Sequence, residues 1–149
     1  MDLSLFVWDY EMTNKIPVYT DPASQMDLEE TANWQTKWTS RAALKMPNKV
    51  SLHRQDTHEL LGLMSYEIDR TGLAVEVIYL ESAAHSNANL LHQTQQHKKY
   101  IGIARALLAY AASISIGEGF GGVLYFKAKT TELRKYYINS FGAMPLGSY

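Results

Sequence analysis

Residues 101–120, "IGIARALLAYAASISIGEGF", constrain the fold more than any other part of this 149-residue chain. In helical register Ile103, Leu107, Leu108, Ala111, Ala112 and Ile114 spread around most of the circumference. A helix apolar on nearly every side is predicted to lie buried between layers, not on a surface. Gly102 stands at its entrance, and Gly117 or Gly119 closes its far end.

What flanks the helix defines the layers. "KVSLHRQD" (49–56), "ELLGLMSYEID" (59–69) and "LAVEVIYLES" (73–82) read as strands, and "DRTG" (69–72) turns the second into the third. The three form an antiparallel meander. After the helix, "GGVLYFKAK" (121–129) reads as a strand, "TTELRKYYINSF" (130–141) as a capped helix and "GAMPLGSY" as the start of a last strand. A strand–helix–strand unit over 73–129 requires a right-handed crossover between parallel strands.

Upstream, "TDPASQMDLEETANWQTKW" offers Asp21 as an N-cap and Pro22 at the first helical position. Residues 22 to about 44 are predicted as one or two helices ending near Pro47, with Trp34 and Trp38 sharing a face as core residues. "SAAHSNANLLHQTQQHKKY" (82–100), polar and rich in Asn, Gln and His, is predicted as a loop. The expected class is α/β (α+β), with a mixed, mostly antiparallel central sheet flanked by helices. It forms one domain over 1–149, with a helical region at 1–48 and the sheet at 49–149.

Composition narrows the function. A net charge of -1 without long runs of one sign argues against a nucleic-acid-binding face or a polybasic membrane patch. The absence of cysteine excludes disulfides, thiolate metal sites and a cysteine nucleophile. His53, His58, His85, His92 and His97 lack the helical i,i+4 spacing of a zinc pair, so no metal is expected. "MDLSLFVWDYEM" has no basic segment before its apolar residues and does not read as a signal peptide; a cytoplasmic location follows as the default.

The first turn of any helix leaves backbone N–H groups without intrahelical partners, and with the helix dipole these attract anions. In Lys99-Tyr100-Ile101-Gly102-Ile103-Ala104, Gly102 and Ala104 are small enough to admit a phosphate to the backbone, while Lys98, Lys99 and Arg105 add charge nearby. A lone glycine before a helix also serves simply to start it.

From roughly Val50 to Met144 the chain resembles the GCN5-related N-acetyltransferases. Their acetyl-CoA signature is Arg or Gln, two residues, Gly, one residue, then Gly or Ala. Lys99 through Ala104 matches its Gly and Ala positions and replaces the first residue by Lys. "LAVEVIYLESAAHSN" is similar to the family's fourth strand and "TTELRKYYINSFGAM" to its last helix. The resemblance implies an acyl-CoA N-acyltransferase fold. It also implies acetyl-CoA as cosubstrate and direct transfer to a primary amine in a ternary complex. Ser82, Ala83, Lys99, Tyr100, Ile101, Gly102, Ile103, Ala104 and Arg105 would hold the cofactor. Two departures stand out: the loop between Ser82 and Lys99 is long, and at Tyr149 a sixth strand has barely begun. A shortened member, a fragment or a partner chain completing the sheet would each account for the second departure, and a homodimer is left open.

The chemistry assigns roles. An amine must lose its proton before attacking a thioester, the oxyanion needs donors, and the thiolate needs a proton. The resemblance points to Glu76 as base, on a strand face predicted to include Ile78, Leu80 and Ser82. Glu81 is the second choice and faces the other way by simple alternation, unless a bulge near Ser82 turns it. The backbone N–H near Ser82 is the implied oxyanion donor. Tyr137, with Tyr136 in reserve, is the implied donor to the thiolate. A non-catalytic module of the same fold, binding acyl-CoA or another protein, is the alternative.

Overall fold

Runs buried on both faces along the middle of the chain form the meander: β3 (Lys49–Arg54), β4 (Leu60–Asp69) and β5 (Ala74–Ser82), each antiparallel to the next. The computed structural model describes residues 4–92, 94, 96–127, 135 and 139. Of the helix predicted over 130–141, Lys135 and Asn139 are described and are helical. Tyr136, Tyr137 and the strand predicted after residue 141 lie outside the described residues.

The apolar run forms α4 (Ile103–Gly117), and β7 (Leu124–Phe126) follows it, parallel to β5. The helix ends in a Schellman motif: the Gly119 N–H donates to Ile116 O and the Phe120 N–H to Ser115 O, with Gly119 left-handed at φ 84°. Its burial is one-sided. Ile103, Ala106, Leu107, Ala111 and Ser115 are buried, whereas Leu108, Ala112 and Ile114 are partly exposed. The expectation of a helix enclosed all round is corrected to a helix with one face on the sheet.

Residues 1–48 depart most from the expected helical region. β1 (Leu5–Asp9) and β2 (Lys15–Pro22) form an antiparallel hairpin that joins the sheet through β3. Asp21 and Pro22 end β2 and do not open a helix. Among the described residues β2 pairs with β1 only as far as Val18, so Pro22 has β3 alone beside it there, a position that tolerates a missing N–H. The helices are short: α1 (Gln25–Glu29), a 3-10 turn over Glu30–Asn33 and α2 (Arg41–Leu44). Ser24 caps α1 in a capping box with Asp27. Trp34 and Trp38 lie outside these helices, yet both are buried in one cluster with Leu28, Leu60 and Leu63.

The predicted loop also carries structure: a 3-10 turn at Ala84–Ser86, α3 (Ala88–His92) and β6 (Tyr100–Ile101). β6 pairs with β1, so the sheet order is β6-β1-β2-β3-β4-β5-β7. β6 leads directly into α4 although β5 and β7 lie at the opposite end of that order. Since α4 packs on β1 as well as on β4 and β5, the sheet curls around the helix. Val7, Val18, Leu52, Leu61, Met64, Val75 and Leu107 fill the space between them. The outcome is an α+β fold with a mixed, mostly antiparallel sheet, seven-stranded among the described residues. Among the described residues no helix is long and apolar enough to cross a membrane.

Candidate functional site

The entrance to α4 is built by glycines on two elements. Gly102 is the N-cap in the left-handed region (φ 98°), contributes no side-chain cap and, among the described residues, has nothing within 4 Å of where a Cβ would be. Ala106 N–H closes the first helical bond to Gly102 O, which leaves the amides of Ile103, Ala104 and Arg105 without intrahelical partners. Gly62 of β4 stands in register with Ser82 at the end of β5. A Cβ on Gly62 would lie 2.8 Å from Ile103 Cγ2 and 3.1 Å from Glu81 O, so its absence brings the first turn of α4 against the sheet.

The amides preceding Gly102 are already engaged. Lys99 N–H donates to His85 O at 2.9 Å, Tyr100 N–H to Ser86 Oγ at 3.0 Å, and Ile101 lies in the β6–β1 ladder opposite Trp8. The Ala83 N–H donates to Leu61 O at 2.8 Å, and Ala83 is buried among the tryptophans. The signature segment therefore presents its donors from the first turn of α4, while Lys99, Tyr100, Ile101 and Ala83 serve the protein's own hydrogen bonds. Arg105 is exposed there, and Ser82 is half-buried on β5.

The two candidate bases share a face, against the alternation argument. Opposite Ser65 and Tyr66 of β4 stand Tyr79 and Val77, so Ile78 is an extra residue in β5. Before the bulge Val75 and Val77 pack toward α4; after it Leu80 does so, while Tyr79, Glu81 and Ala83 turn to the tryptophan side. Glu76, lying between Val75 and Val77, points to that same side. The predicted face of Glu76, Ile78, Leu80 and Ser82 is thus broken, because the register shifts at Ile78 and not near Ser82.

Their environments differ. Glu76 stands between Glu67 and Tyr125 in register, and its carboxylate lies 3.6 Å from Lys127 Nζ. Burial pushes Tyr125 up to about 12, with further help from its hydrogen bond to Asp69 and the charge of Glu76. Glu81 is buried at 4 % exposure. Its Oε1 accepts from Trp38 Nε1 at 3.1 Å, and its Oε2 from the Gln35 and Thr36 amides at 2.8 and 3.3 Å. Burial raises its pKa against those hydrogen bonds, which pull it down. Tyr79 stacks on Trp38 and hydrogen-bonds Thr36 at 2.7 Å. Glu81 thus clasps residues 35–38 to the sheet. The two carboxylates lie five positions apart on one strand, roughly 15 Å, too far to act on one atom.

Two side-chain clusters have no local signature in the sequence. In one, the Tyr100 hydroxyl donates to Glu59 Oε1 and accepts from Arg54 at 3.0 Å, while Lys99 Nζ reaches Glu59 Oε2 at 2.8 Å. Burial pushes the Glu59 carboxyl up, but the hydrogen bonds from Lys99 and Tyr100 outweigh it and hold the group below its ordinary value. Beside it His85 Nδ1 meets Ser86 Oγ at 2.7 Å, and among the described residues the buried Nε2 has no hydrogen-bond partner, lying 3.4 Å from Glu59. Burial lowers the pKa of His85. In the other, buried His53 Nε2 lies 2.8 Å from Asp27 Oδ1, with Ser51 Oγ 3.5 Å from Nδ1. Ser51 is fully buried and its hydroxyl donates to Asp21 O. It is placed to hold structure and not to attack a substrate. Among the described residues no group of three or more His, Asp or Glu is arranged to hold a metal ion.

Compared with known proteins, the chain matches no family model, no curated protein and no solved structure. Fold and site together describe an α+β protein with a mixed curled sheet, whose glycine-capped helix starts against β4 and the end of β5.

Proposed function

We propose that the chain is an acetyl-CoA-dependent N-acetyltransferase of the GCN5-related type, transferring an acetyl group directly to a primary amine. The observation that carries this reading is the β5–α4 junction. A left-handed glycine caps the long helix without a side chain, a small residue follows at Ala104, and the two strands joined through the helix are parallel. The first-turn amides suit the cofactor's pyrophosphate. Among the described residues β7 pairs with Val75–Val77 alone, and β5 runs on to Ser82, a length of strand edge suited to the pantetheine amides.

In this reading Glu76, roughly 18 Å along β5 from Ser82, takes the amine proton through a chain of water molecules as the nitrogen attacks the thioester carbonyl. A backbone N–H near Ser82 steadies the oxyanion, and the thiolate leaves with a hydrogen bond from Tyr137 (outside the described residues). Glu81 drops out as a base because its oxygens already accept three N–H donors. Calorimetry with acetyl-CoA tests the reading. The wild type is expected to bind at micromolar concentrations and Gly102→Val to lose binding; no wild-type binding at high micromolar concentration overturns it.

A second reading, a non-catalytic acyl-CoA-binding module, is favoured by the carboxylates themselves. Glu81 is committed to the fold, and Glu76 faces Lys127. Thiol release from acetyl-CoA over a panel of amines, with Glu76→Gln and Tyr137→Phe as controls, separates the two. Turnover lost in both variants supports the enzyme, and binding without turnover supports the module.

A further inference from the structure

We propose that Glu59 is the positioning residue for the cofactor-accepting turn, tying the segment before Gly102 to the start of β4 through Tyr100. The inference rests on the acyl-CoA reading above. The geometry is a convergence of four chain segments on three residues, Lys99, Tyr100 and Ile101. From before β4, Glu59 takes the Tyr100 hydroxyl on one carboxylate oxygen and Lys99 Nζ, at 2.8 Å, on the other. From β3, Arg54 donates to the same hydroxyl at 3.0 Å and is itself held by Asp56 at 2.6 Å. From the turn after β5, His85 O and Ser86 Oγ accept the Lys99 and Tyr100 amides. From β1, Trp8 and Asp9 pair with Ile101 and Tyr100.

Tyr100 is only 2 % exposed, so its hydroxyl needs partners, and Glu59 and Arg54 supply one acceptor and one donor. With Lys99 and Tyr100 fixed by both backbone and side chain, the turn at Gly102 holds its shape before any ligand arrives. A ligand that meets preformed donors loses less free energy to ordering them. The arrangement also fixes the role of Lys99: its charge is answered by Glu59, so the backbone amides, not that lysine, would grip the anion.

The test is acetyl-CoA affinity of the full chain carrying Glu59→Ala, Tyr100→Phe or Glu59→Gln, with melting temperatures recorded alongside. Tyr100→Phe keeps the buried ring and removes only the hydroxyl, which leaves the question answerable even where Glu59→Ala folds poorly. Both Glu59→Ala and Tyr100→Phe are expected to weaken binding by about tenfold, the scale of a hydrogen bond to a charged group. Glu59→Gln, whose amide oxygen still accepts from Tyr100, is expected to stay within about threefold of wild type. Wild-type affinity in Tyr100→Phe, or a loss in Glu59→Gln as large as in Glu59→Ala, overturns the tie while leaving the acyl-CoA reading intact. A wild type that does not bind acetyl-CoA overturns both.

Discussion

Glu81 shows how much one residue can be asked to do. A buried carboxylate survives only where donors answer its charge, and here Trp38 and two backbone amides do so. A glutamine in its place would turn an NH2 toward at least one of those donors. Glu81→Gln is therefore expected to destabilise the chain by about 2 kcal/mol, the cost of an unsatisfied buried donor. A lower urea midpoint with earlier exposure of tryptophan fluorescence would show it. Gly102 poses the opposite case, with strain and no crowding. Among the described residues nothing lies within 4 Å of its absent Cβ, so Gly102→Ala is expected to cost about 1–2 kcal/mol through its backbone angle. A thermal melt checks this, and a silent substitution would show that the turn relaxes out of the left-handed region.

At the scale of elements, α4 was legible and residues 22–44 were not. The helix carries its own punctuation: a glycine at its entrance, a glycine past its end and apolar residues between. "TDPAS" carries helix punctuation as well, but β3 was available to pair with Asp21 and Pro22, and Ser24 took the cap instead. What places α4 lies on another element altogether. Gly62→Ala would drive a methyl group to 2.8 Å from Ile103 Cγ2 and 3.1 Å from the Glu81 carbonyl. A destabilisation of about 1–3 kcal/mol is expected, measured by denaturant titration. A neutral result would mean that the first turn of α4 has room to move.

The whole molecule responds to pH through carboxylates shifted in opposite directions. Asp27 is pushed up by burial, but its bonds to the Ser24 amide and His53 outweigh this and leave it below its ordinary value. A lowered native value means that the unfolded chain binds the proton more readily. The contribution of Asp27 is therefore full above about pH 4–5 and is lost as pH falls through its lower native value. Glu81, raised by burial, works the other way: its native state holds the proton more readily, so stability falls as pH rises from the ordinary glutamate value of about 4.3 through its higher native value. Asp27→Asn is expected to flatten the acid limb of a stability–pH profile, and Glu81→Gln to remove the opposing slope. An acid limb unchanged in Asp27→Asn would remove the Asp27–His53 contact from the account.

The order β3–β4–β5, the apolar helix and the strand after it are legible in the chain alone, from periodicity and punctuation within a dozen or so residues. That residues 5–22 form a hairpin, that β6 pairs with β1, and that Glu76 and Glu81 share a face depends on pairing between distant segments. Alternation assigns faces only until an extra residue enters a strand, and whether Ile78 is that residue depends on what β4 presents across the ladder. Glu59 and Tyr100 meet for the same kind of reason: 41 positions apart, they are brought together by strand pairing and a curled sheet, which no local pattern encodes.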